Sequence, residues 1–395
     1  MPGKTGSMTS RERVHAAAKG LPVDRVPVFH WINGHAAVKL MSEYQPSIHE
    51  DWNLLAKRFW DGFKNGGFLD APRSQRLLPL VFDLYSSNYG NRYGLELGSD
   101  ILLASFATPG HFSRSVKQNG TELIVDIYGV GRDLGNSIYA NLVNPPIKTV
   151  EDLVNYRFPD ITHEHYYDVF REMRLQHPEA SIGTFIWGVQ DFCHTCMMGT
   201  ERFMTFIVDY PEEISHFMGR VIDHSNDIVR RSLAAGADLV FTGDDFGYNN
   251  RPLISMNMWR EFTFPQLKRQ VDLSHELGAP VMLHSCGYQM CFLEDYIKLG
   301  IDLLQSFQPM AGNNFQEAYP KYGDKFGFVT GVDTQRGEMM NPEELQEEII
   351  SNYRLGKTRP RFILGMTHEI QYTMPDDNVK VIFQTVRDIQ NGHYD

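Results

Sequence analysis

A histidine and a cysteine lie two residues apart in the segment Leu283-His284-Ser285-Cys286-Gly287. Where such a segment ends a β-strand, side chains two positions apart point the same way. Imidazole and thiolate are preferred ligands of Zn²⁺, and Gly287 lets the backbone turn closely past them. His284 and Cys286 therefore predict two ligands of a metal site. A catalytic zinc usually has three protein ligands and an open position, so a third ligand is needed.

The third predicted ligand is His368, in the segment Gly365-Met366-Thr367-His368-Glu369. It continues the two-residue phase of the preceding apolar run, so it would face the same end of a closed sheet from the opposite side. Together the three residues predict a zinc site. The alternative is that His368 is a neutral histidine that is hydrogen-bonded within the fold.

Carboxylates near these ligands are the predicted acid/base groups. Asp244 and Asp245 follow a strongly β-prone run, and Glu369 lies beside the third ligand. Neighbouring carboxylates repel, which can raise the pKa of one and make it a general acid. Alternation lets only one of the pair face a barrel axis. The alternative for the pair is capping of a helix in the loop that follows.

A second cysteine pair, Cys193 and Cys196, has the C-x-x-C spacing of metal and redox sites. No second pair accompanies it, and it begins an apolar helical stretch. We therefore expect it to contribute core and contact surface. Cys291 is expected to lie on a helix, buried and inert.

The elements that would position these residues are short β-prone apolar runs that alternate with amphipathic segments. This pattern is typical of a parallel sheet wound with helices. Eight strands are enough to close a barrel, so the predicted fold is an α/β protein, a (β/α)8 TIM barrel. The predicted strands are 26–31, 100–104, 181–187, 238–242, 280–284, 303–307, 326–330 and 361–364.

The whole chain, residues 1–395, is predicted to form a single barrel domain, because no Pro/Gly/Ser-rich linker divides it. Residues 1–25 are expected to form an N-terminal helical extension. Residues 111–134 break the alternation and predict a β-hairpin insertion. Its turn is predicted at Gln118-Asn119-Gly120 and its returning strand at 121–128.

Catalytic and binding residues of such barrels lie where the strands end. Polar and aromatic side chains recur at the predicted strand ends or in the loops directly after them. Those predicted to bind substrate are His30, Trp31, Asp100, Trp187, Gln190, Tyr248 and Asp333. The alternative is that polar residues simply mark where apolar strands stop.

Charge and composition exclude several classes of protein. The chain has 395 residues and a formal net charge of -12, which disfavours nonspecific nucleic-acid binding. It has no run of about 18 apolar residues, so a membrane span is not expected. Four cysteines do not make a disulfide framework, and no secretory signal is evident, so we expect a cytoplasmic protein. An oligomer is compatible with the sequence.

Several segments resemble the uroporphyrinogen decarboxylase superfamily. Thr9-Ser10-Arg11-Glu12-Arg13 and residues 22–28 resemble its opening, and residues 234–240 with the acidic pair are similar to its central strand. Residues 99–102 look like the segment that carries the decarboxylase's pyrrole-binding aspartate, here Asp100. Residues 368–378 resemble its closing motif. The resemblance spans nearly the whole chain and implies the same barrel fold.

Two features distinguish the chain from true decarboxylases. The Arg-rich motif that grips the porphyrinogen carboxylates is missing around His30. The sequence His-x-Cys-Gly resembles the zinc motif of the zinc- and corrinoid-dependent methyltransferase branch. A later cysteine usually completes the zinc site in those enzymes, and His368 occupies its place here. Decarboxylases can carry histidine at that place too.

The resemblance implies a methyltransferase that moves a methyl group between a small methylated substrate and a corrinoid (cobalamin) on a partner protein. We favour a methoxy compound as donor, with zinc as Lewis acid and an apolar wall formed by Trp31, Trp187, Phe246 and Tyr248. One alternative is transfer from the methylcorrinoid to a thiol or tetrahydrofolate. Another is a uroporphyrinogen-decarboxylase-like lyase centred on Asp100, and a third is a noncatalytic binding protein. The sequence leaves the donor, the acceptor, the direction and the fourth zinc ligand open.

Overall fold

The structure is a computed structural model that describes residues 7–32, 94–95, 97–106, 114–118, 121–133, 141–371 and 373–394. Its strands, in chain order, are β1 (Val28–Phe29), β2 (Ile101–Ala104), β3 (Arg114–Gln118), β4 (Thr121–Val125), β5 (Gly131–Asp133), β6 (Asn141–Asn144), β7 (Ser181–Trp187), β8 (Leu239–Gly243), β9 (Gly247–Tyr248), β10 (Arg251–Pro252), β11 (Val281–His284), β12 (Leu303–Gln305), β13 (Gly327–Val332) and β14 (Phe362–Met366).

Eight of these strands form one parallel sheet that is nearly closed into a barrel. Neighbours follow the order β1, β14, β13, β12, β11, β8, β7 and β2. The two end strands are joined by a backbone hydrogen bond of 2.7 Å from Asp100 N to Val28 O. The predicted (β/α)8 fold is therefore confirmed.

All eight predicted strands are present, with ends that differ by a few residues. The sixth was predicted to reach Phe307 but ends at Gln305. The reason is that Ser306 adopts a left-handed backbone, with φ of 78°, and so leaves the sheet. The eighth extends to Met366, which pairs with Val332 of β13.

The barrel interior is filled by apolar side chains that alternate along the strands. These are Phe29, Trp31, Ile101, Leu103, Leu239, Phe241, Met282, Leu303, Val329 and Ile363. Helix α1 (Ser10–Lys19) covers the end at which the strands begin, since its Val14, Ala17 and Ala18 belong to the same cluster. Side chains with a chemical function are thus expected at the opposite end.

Helices cover the outer face of the barrel sheet. After α1 they are α2 (Val150–Asn155), α3 (Asp168–Gln176), α4 (Thr200–Asp209), α5 (Pro211–Ala234), α6 (Phe264–Glu276), α7 (Leu293–Leu299), α8 (Phe315–Tyr322), α9 (Pro342–Gly356) and α10 (Asp376–Gln390). α9 illustrates how the sequence sets a boundary: Asn341 caps the backbone of Glu344, and Pro342 occupies the first turn. The buried faces of the helices and the outer face of the barrel sheet share one large apolar core.

An antiparallel sheet of β3, β4, β5 and β6 is inserted between β2 and β7. Gln118 pairs with Thr121, as the predicted hairpin requires, whereas the predicted turn residues Asn119 and Gly120 lie outside the described residues. The returning strand ends at Val125, and β5 and β6 were not predicted. Among the described residues, no helix is both long enough and apolar enough to span a membrane.

Candidate metal centre

The three predicted ligands meet at the end of the barrel where the strands finish. His284 ends β11, and Cys286 and His368 follow β11 and β14 closely. One nitrogen or sulfur atom from each lies within 4.8 Å of the others, and Cys286 Sγ is 3.3 Å from His284 Nε2. Tetrahedral zinc, with bonds of about 2.0–2.3 Å, holds its ligand atoms roughly 3.5 Å apart. The three side chains thus need only small rotations to share one ion.

Gln305, on the neighbouring strand β12, fixes the ring of His284. Its Oε1 atom is hydrogen-bonded to His284 Nδ1, and its Nε2 atom donates to Met366 O at 2.8 Å. Because Oε1 can only accept, Nδ1 carries the ring proton and Nε2 presents its lone pair toward Cys286. Metal-binding histidines are generally oriented by such an outer hydrogen bond. The contacts of His284 therefore suit a metal ligand.

A loop, rather than the pleat of the strand, positions Cys286. Asp245 Oδ1 accepts a hydrogen bond of 2.7 Å from Cys286 N, and Gln308 Oε1 accepts one of 2.8 Å from Gly287 N. Gly287 has φ of 77°, and a Cβ atom there would lie 2.4 Å from the carbonyl carbon of Gly247. Glycine at this position therefore allows the two loops to approach each other.

The surroundings of the site shift the pKa values of His284 and Cys286 in opposite directions. Burial lowers the pKa of His284, which keeps the imidazole neutral and able to bind a metal. Burial and the carboxylate of Asp245 raise the pKa of the Cys286 thiol well above its ordinary value. A divalent cation would reverse this second effect, because it stabilises the thiolate directly. Metal uptake is therefore expected to release a proton from Cys286.

Aromatic rings lie beneath and around the ligands. Trp31 stacks on His368 with ring centroids 5.3 Å apart and meets the ring of His284 edge-on at 4.9 Å. Trp187 and Tyr248, which are exposed, lie at the same end of the barrel at and beyond the ends of β7 and β8. The geometry thus places an apolar ring under the ligands, while the substrate contacts of these residues stay a prediction.

Two of the three predicted acid/base groups lie beside the ligands. Asp245 Oδ1 is 3.6 Å from His284 Nε2, and 35% of its side chain is exposed. Glu369 is half-buried next to His368, accepts a hydrogen bond of 3.1 Å from Gln371 Nε2, and is close enough to influence the pKa of His284. An acid/base role for Asp245 and Glu369 stays a prediction.

The third group, Asp244, is fully buried and holds the backbone of a neighbouring loop. Its carboxylate accepts hydrogen bonds from Asp191 N at 2.7 Å and from Gln190 N at 3.4 Å, at the helical turn Val189–Asp191. Burial raises its pKa to about 8. Gln190 is also held internally, since its Oε1 accepts from Thr263 Oγ1 at 2.9 Å. Asp244 therefore caps the helical turn Val189–Asp191, whereas the sequence suggested a helix in the loop after Asp244. The side chain of Gln190 is held by a hydrogen bond within the fold.

His30, predicted to bind substrate, lies outside the mouth of the barrel. Phe29 and Trp31 point into the interior, so alternation turns His30 toward the helices. There its ring packs edge-on against Phe383, and its Nε2 atom is 3.2 Å from Leu97 O. Burial lowers its pKa to about 4. The structure therefore shows His30 in packing contacts, and its substrate-binding role stays a prediction.

Asp100 and Asp333 also lie in buried, hydrogen-bonded positions, and their substrate-binding role stays a prediction. Asp100 precedes β2 and so lies where the strands begin, with Arg13 and Arg25 paired to its carboxylate at 2.8 and 2.7 Å. Asp333 follows β13 but is only 2% exposed, and its Oδ1 atom accepts from the backbone N–H of Arg336 at 3.2 Å. Both carboxylates are buried and stabilise local structure.

The helical turn after β7 brings two further groups to this end of the barrel. Neither Asp191 nor His194 was predicted to lie in the site. Asp191 Oδ1 lies 3.4 Å from His194 Nε2 and is also hydrogen-bonded by Thr195 Oγ1. The two cysteines of the C-x-x-C motif are buried, as expected, in the π-helix Phe192–Met197, whereas Cys291 is only partly buried. In the sequence, the only feature that could have pointed to Asp191 as a site residue is its position just after a predicted strand.

A nearly closed barrel of eight parallel strands, with a metal-capable cluster where the strands finish, defines a TIM-barrel protein with its site in the usual place. Residues 123–389 match the family described as Uroporphyrinogen decarboxylase (URO-D). The chain belongs to the uroporphyrinogen decarboxylase family, as its motifs predict.

Among solved structures, one has the same fold at low sequence identity, and a second is less similar. A methyltransferase from Methanosarcina mazei is 16% identical, with a TM-score of 0.69 over 97% of this chain and 99% of that one. A B12-independent methionine synthase from Shewanella sp. W3-18-1, in complex with selenomethionine, is 12% identical, with a TM-score of 0.42 over 93% and 97%. A search of curated proteins gave no significant match.

Proposed function

We propose that the chain is a zinc-dependent methyltransferase that moves a methyl group from a methoxy compound to a corrinoid on a separate protein. The observation that carries this proposal is the convergence of His284, Cys286 and His368 on one point at the mouth of the barrel. The Methanosarcina mazei structure with the same fold is described as a methyltransferase, which agrees with the proposed reaction class.

In this proposal the three residues hold zinc and leave a fourth position open to the substrate. Zinc bound there supplies Lewis-acid chemistry to the oxygen that loses the methyl group. Gln305 keeps His284 in the tautomer that binds metal through Nε2. Trp31, stacked on His368, offers an apolar surface to the methoxy group.

The carboxylates beside the ligands support the same proposal. A zinc ion with one thiolate and two neutral imidazoles carries a net charge of +1, and Asp245 and Glu369 place negative charge near it. Asp245 also builds the loop of Cys286 through its hydrogen bond to the backbone. We propose that these two side chains balance the charge of the site and orient the substrate.

The packing of the barrel is compatible with a corrinoid that another protein carries. The barrel interior is filled by large side chains, among them Phe29, Trp31 and Phe241. A corrinoid ring therefore has to approach the zinc from outside the mouth. Transfer in the opposite direction, to a thiol or tetrahydrofolate, would use the same site and is the nearest alternative.

The proposal is tested by zinc content and methyl transfer. We expect about one zinc per chain in the wild type, far less in Cys286→Ala, and an unchanged amount in Cys291→Ala, a cysteine outside the cluster. The wild type should methylate reduced cobalamin from at least one methoxy compound, followed by the absorbance of the corrinoid. A wild type without bound zinc, or inactive with every methoxy donor, would refute the proposal.

A decarboxylase-like lyase is a second candidate because the family match carries that name. It is the weaker one, since Asp100, its expected centre, is buried and paired with Arg13 and Arg25 at the other end of the barrel. Incubation with uroporphyrinogen tests it directly. Release of carbon dioxide and coproporphyrinogen would favour this candidate over methyl transfer.

A further inference from the structure

A carboxyl–imidazole pair lies near the proposed zinc site but outside its ligand set. Asp191 and His194 are 7% and 9% exposed, and Asp191 Oδ1 is 3.4 Å from His194 Nε2. Thr195 Oγ1 donates to the same oxygen. Within the described part of the chain, His194 Nε2 is buried without a hydrogen-bond partner. Buried polar atoms are normally paired, so this unpaired nitrogen beside a carboxyl group needs an explanation.

Backbone contacts fix the positions of Asp191 and His194. Asp191 N donates to the buried carboxylate of Asp244 at 2.7 Å, and His194 lies in the π-helix that follows. Such π-helical segments occur frequently at functional sites. His194 Nδ1 is 3.2 Å from Thr195 Oγ1 and 3.4 Å from Thr200 Oγ1. If Nδ1 carries the ring proton of His194, the lone pair of Nε2 faces Asp191. This arrangement is compatible with a protonated carboxyl group at Asp191.

Burial and a neighbouring carboxylate favour the protonated form of Asp191. Burial, followed by repulsion from Asp245, raises the pKa of Asp191 well above its ordinary value. Asp191 is linked to the zinc site through the backbone, because its N–H donates to Asp244 and the next residue, Asp245, lies 3.6 Å from His284 Nε2. A neutral carboxylic acid near a Lewis acid fits an oxygen leaving group, which needs a proton as its bond to carbon breaks.

We propose, on the basis of the proposed function, that Asp191 is the general acid for the oxygen that loses its methyl group. An electron pair from the partner's reduced corrinoid forms the new bond to the methyl carbon. The electron pair of the carbon–oxygen bond stays on oxygen, which takes the Asp191 proton and leaves as an alcohol or phenol. His194 then passes a proton from solvent to the Asp191 carboxylate. This assignment narrows the substrate class to methyl ethers.

The test uses a series of methyl aryl ethers whose phenols range from weakly to strongly acidic, with free reduced cobalamin as acceptor. Asp191→Asn keeps the oxygen that accepts from Thr195 but cannot donate an acid proton. We expect it to lower kcat by about 10²–10⁴-fold for the least acidic phenol. The decrease in kcat should become small for the ether with the most acidic phenol, because that phenoxide can leave without being protonated. A loss that is equal across the series, or no loss, would overturn the inference.

Asp295→Asn is the matched control, because Asp295 is also buried but pairs with Arg260 on the outer helices. It should keep the wild-type dependence on the leaving group. An infrared difference spectrum between wild type and Asp191→Asn at neutral pH gives a readout that needs no turnover. We expect the carboxylic-acid C=O band to be lost in the variant, and carboxylate bands in its place would contradict the inference. A wild type inactive with every ether would instead remove the proposed function, and this inference with it.

Discussion

Gln305 offers the sharpest test of the metal site, because it touches a ligand without being one. It makes two hydrogen bonds, one with His284 Nδ1 and one to Met366 O. Gln305→Leu removes both and leaves a buried ring N–H unpaired, at a cost of about 1–3 kcal/mol. Loss of such an outer partner typically weakens metal binding about 10–100-fold, or roughly 1.4–2.7 kcal/mol. We expect zinc affinity to fall by that factor.

The assay is competition for zinc against a chromogenic chelator at fixed pH, with thermal unfolding measured in parallel. Gln305→Glu separates the two hydrogen bonds, since it keeps an acceptor for His284 but has no donor for Met366 O. It should hold zinc far better than Gln305→Leu. Gln270→Leu is the matched control, because Gln270 is buried on α6 and its side chain has no hydrogen-bond partner in the described part of the chain.

The reasoning fails if Gln305→Leu binds zinc within about twofold of the wild type, well below the 10–100-fold expected. It also fails if Gln270→Leu loses as much affinity as Gln305→Leu does. The first result would mean that His284 is oriented by other contacts. The second would mean that zinc affinity follows the general stability of the barrel rather than the tautomer of one histidine.

Three further predictions concern stability and loop geometry. Burial lowers the pKa of His30 to about 4, so the unfolded chain, in which it is about 6.5, binds more protons between these values. The contribution of His30 to the free energy of unfolding therefore falls as the pH falls, by about 2 kcal/mol from pH 7 to pH 5. His30→Phe should lose that part of the pH dependence in urea unfolding, and an unchanged dependence would contradict the prediction. Arg13→Met leaves the buried Asp100 short of a partner, so unfolding should cost about 3 kcal/mol less while zinc content stays constant. Gly287→Ala forces a Cβ to within 2.4 Å of the backbone of Gly247 and should reduce bound zinc, measured by elemental analysis. Wild-type zinc content in that variant would show that the loop tolerates the displacement.

The barrel strands were predictable because each one is a short apolar run, and such runs are typical of strands covered on both faces. The insertion was less predictable. β5 has only the residues Gly131–Asp133, two of them charged, so its composition gives little sign of a strand. The early end of β12 depends on the backbone of Ser306, and serine is not a residue whose type predicts a left-handed conformation.

The predicted site residues that the structure places away from the metal-capable cluster have a common explanation. Sequence shows where a strand lies, but the side that each residue faces depends on the phase of the strand. His30 and Trp31 were both assigned to the mouth, although adjacent residues face opposite sides. Asp100 opens its strand and therefore lies at the other end of the barrel. Asp244 caps a helical turn that begins far away in sequence, at Val189, and local sequence patterns do not reveal such a long-range contact.

Cys286 lies beside His284 as predicted, but the physical basis differs from the one that suggested it. Alternation along a strand predicts that it lies beside His284, but β11 ends at His284 and the pleat does not reach the cysteine. Its position comes from two loop hydrogen bonds, to Asp245 and Gln308. The sulfur ligand is therefore fixed by carboxylate and amide side chains, while His284 lies on a barrel strand. A change at Asp245 would alter the geometry of the sulfur as well as the charge of the site, so rate loss alone cannot identify Asp245 as an acid.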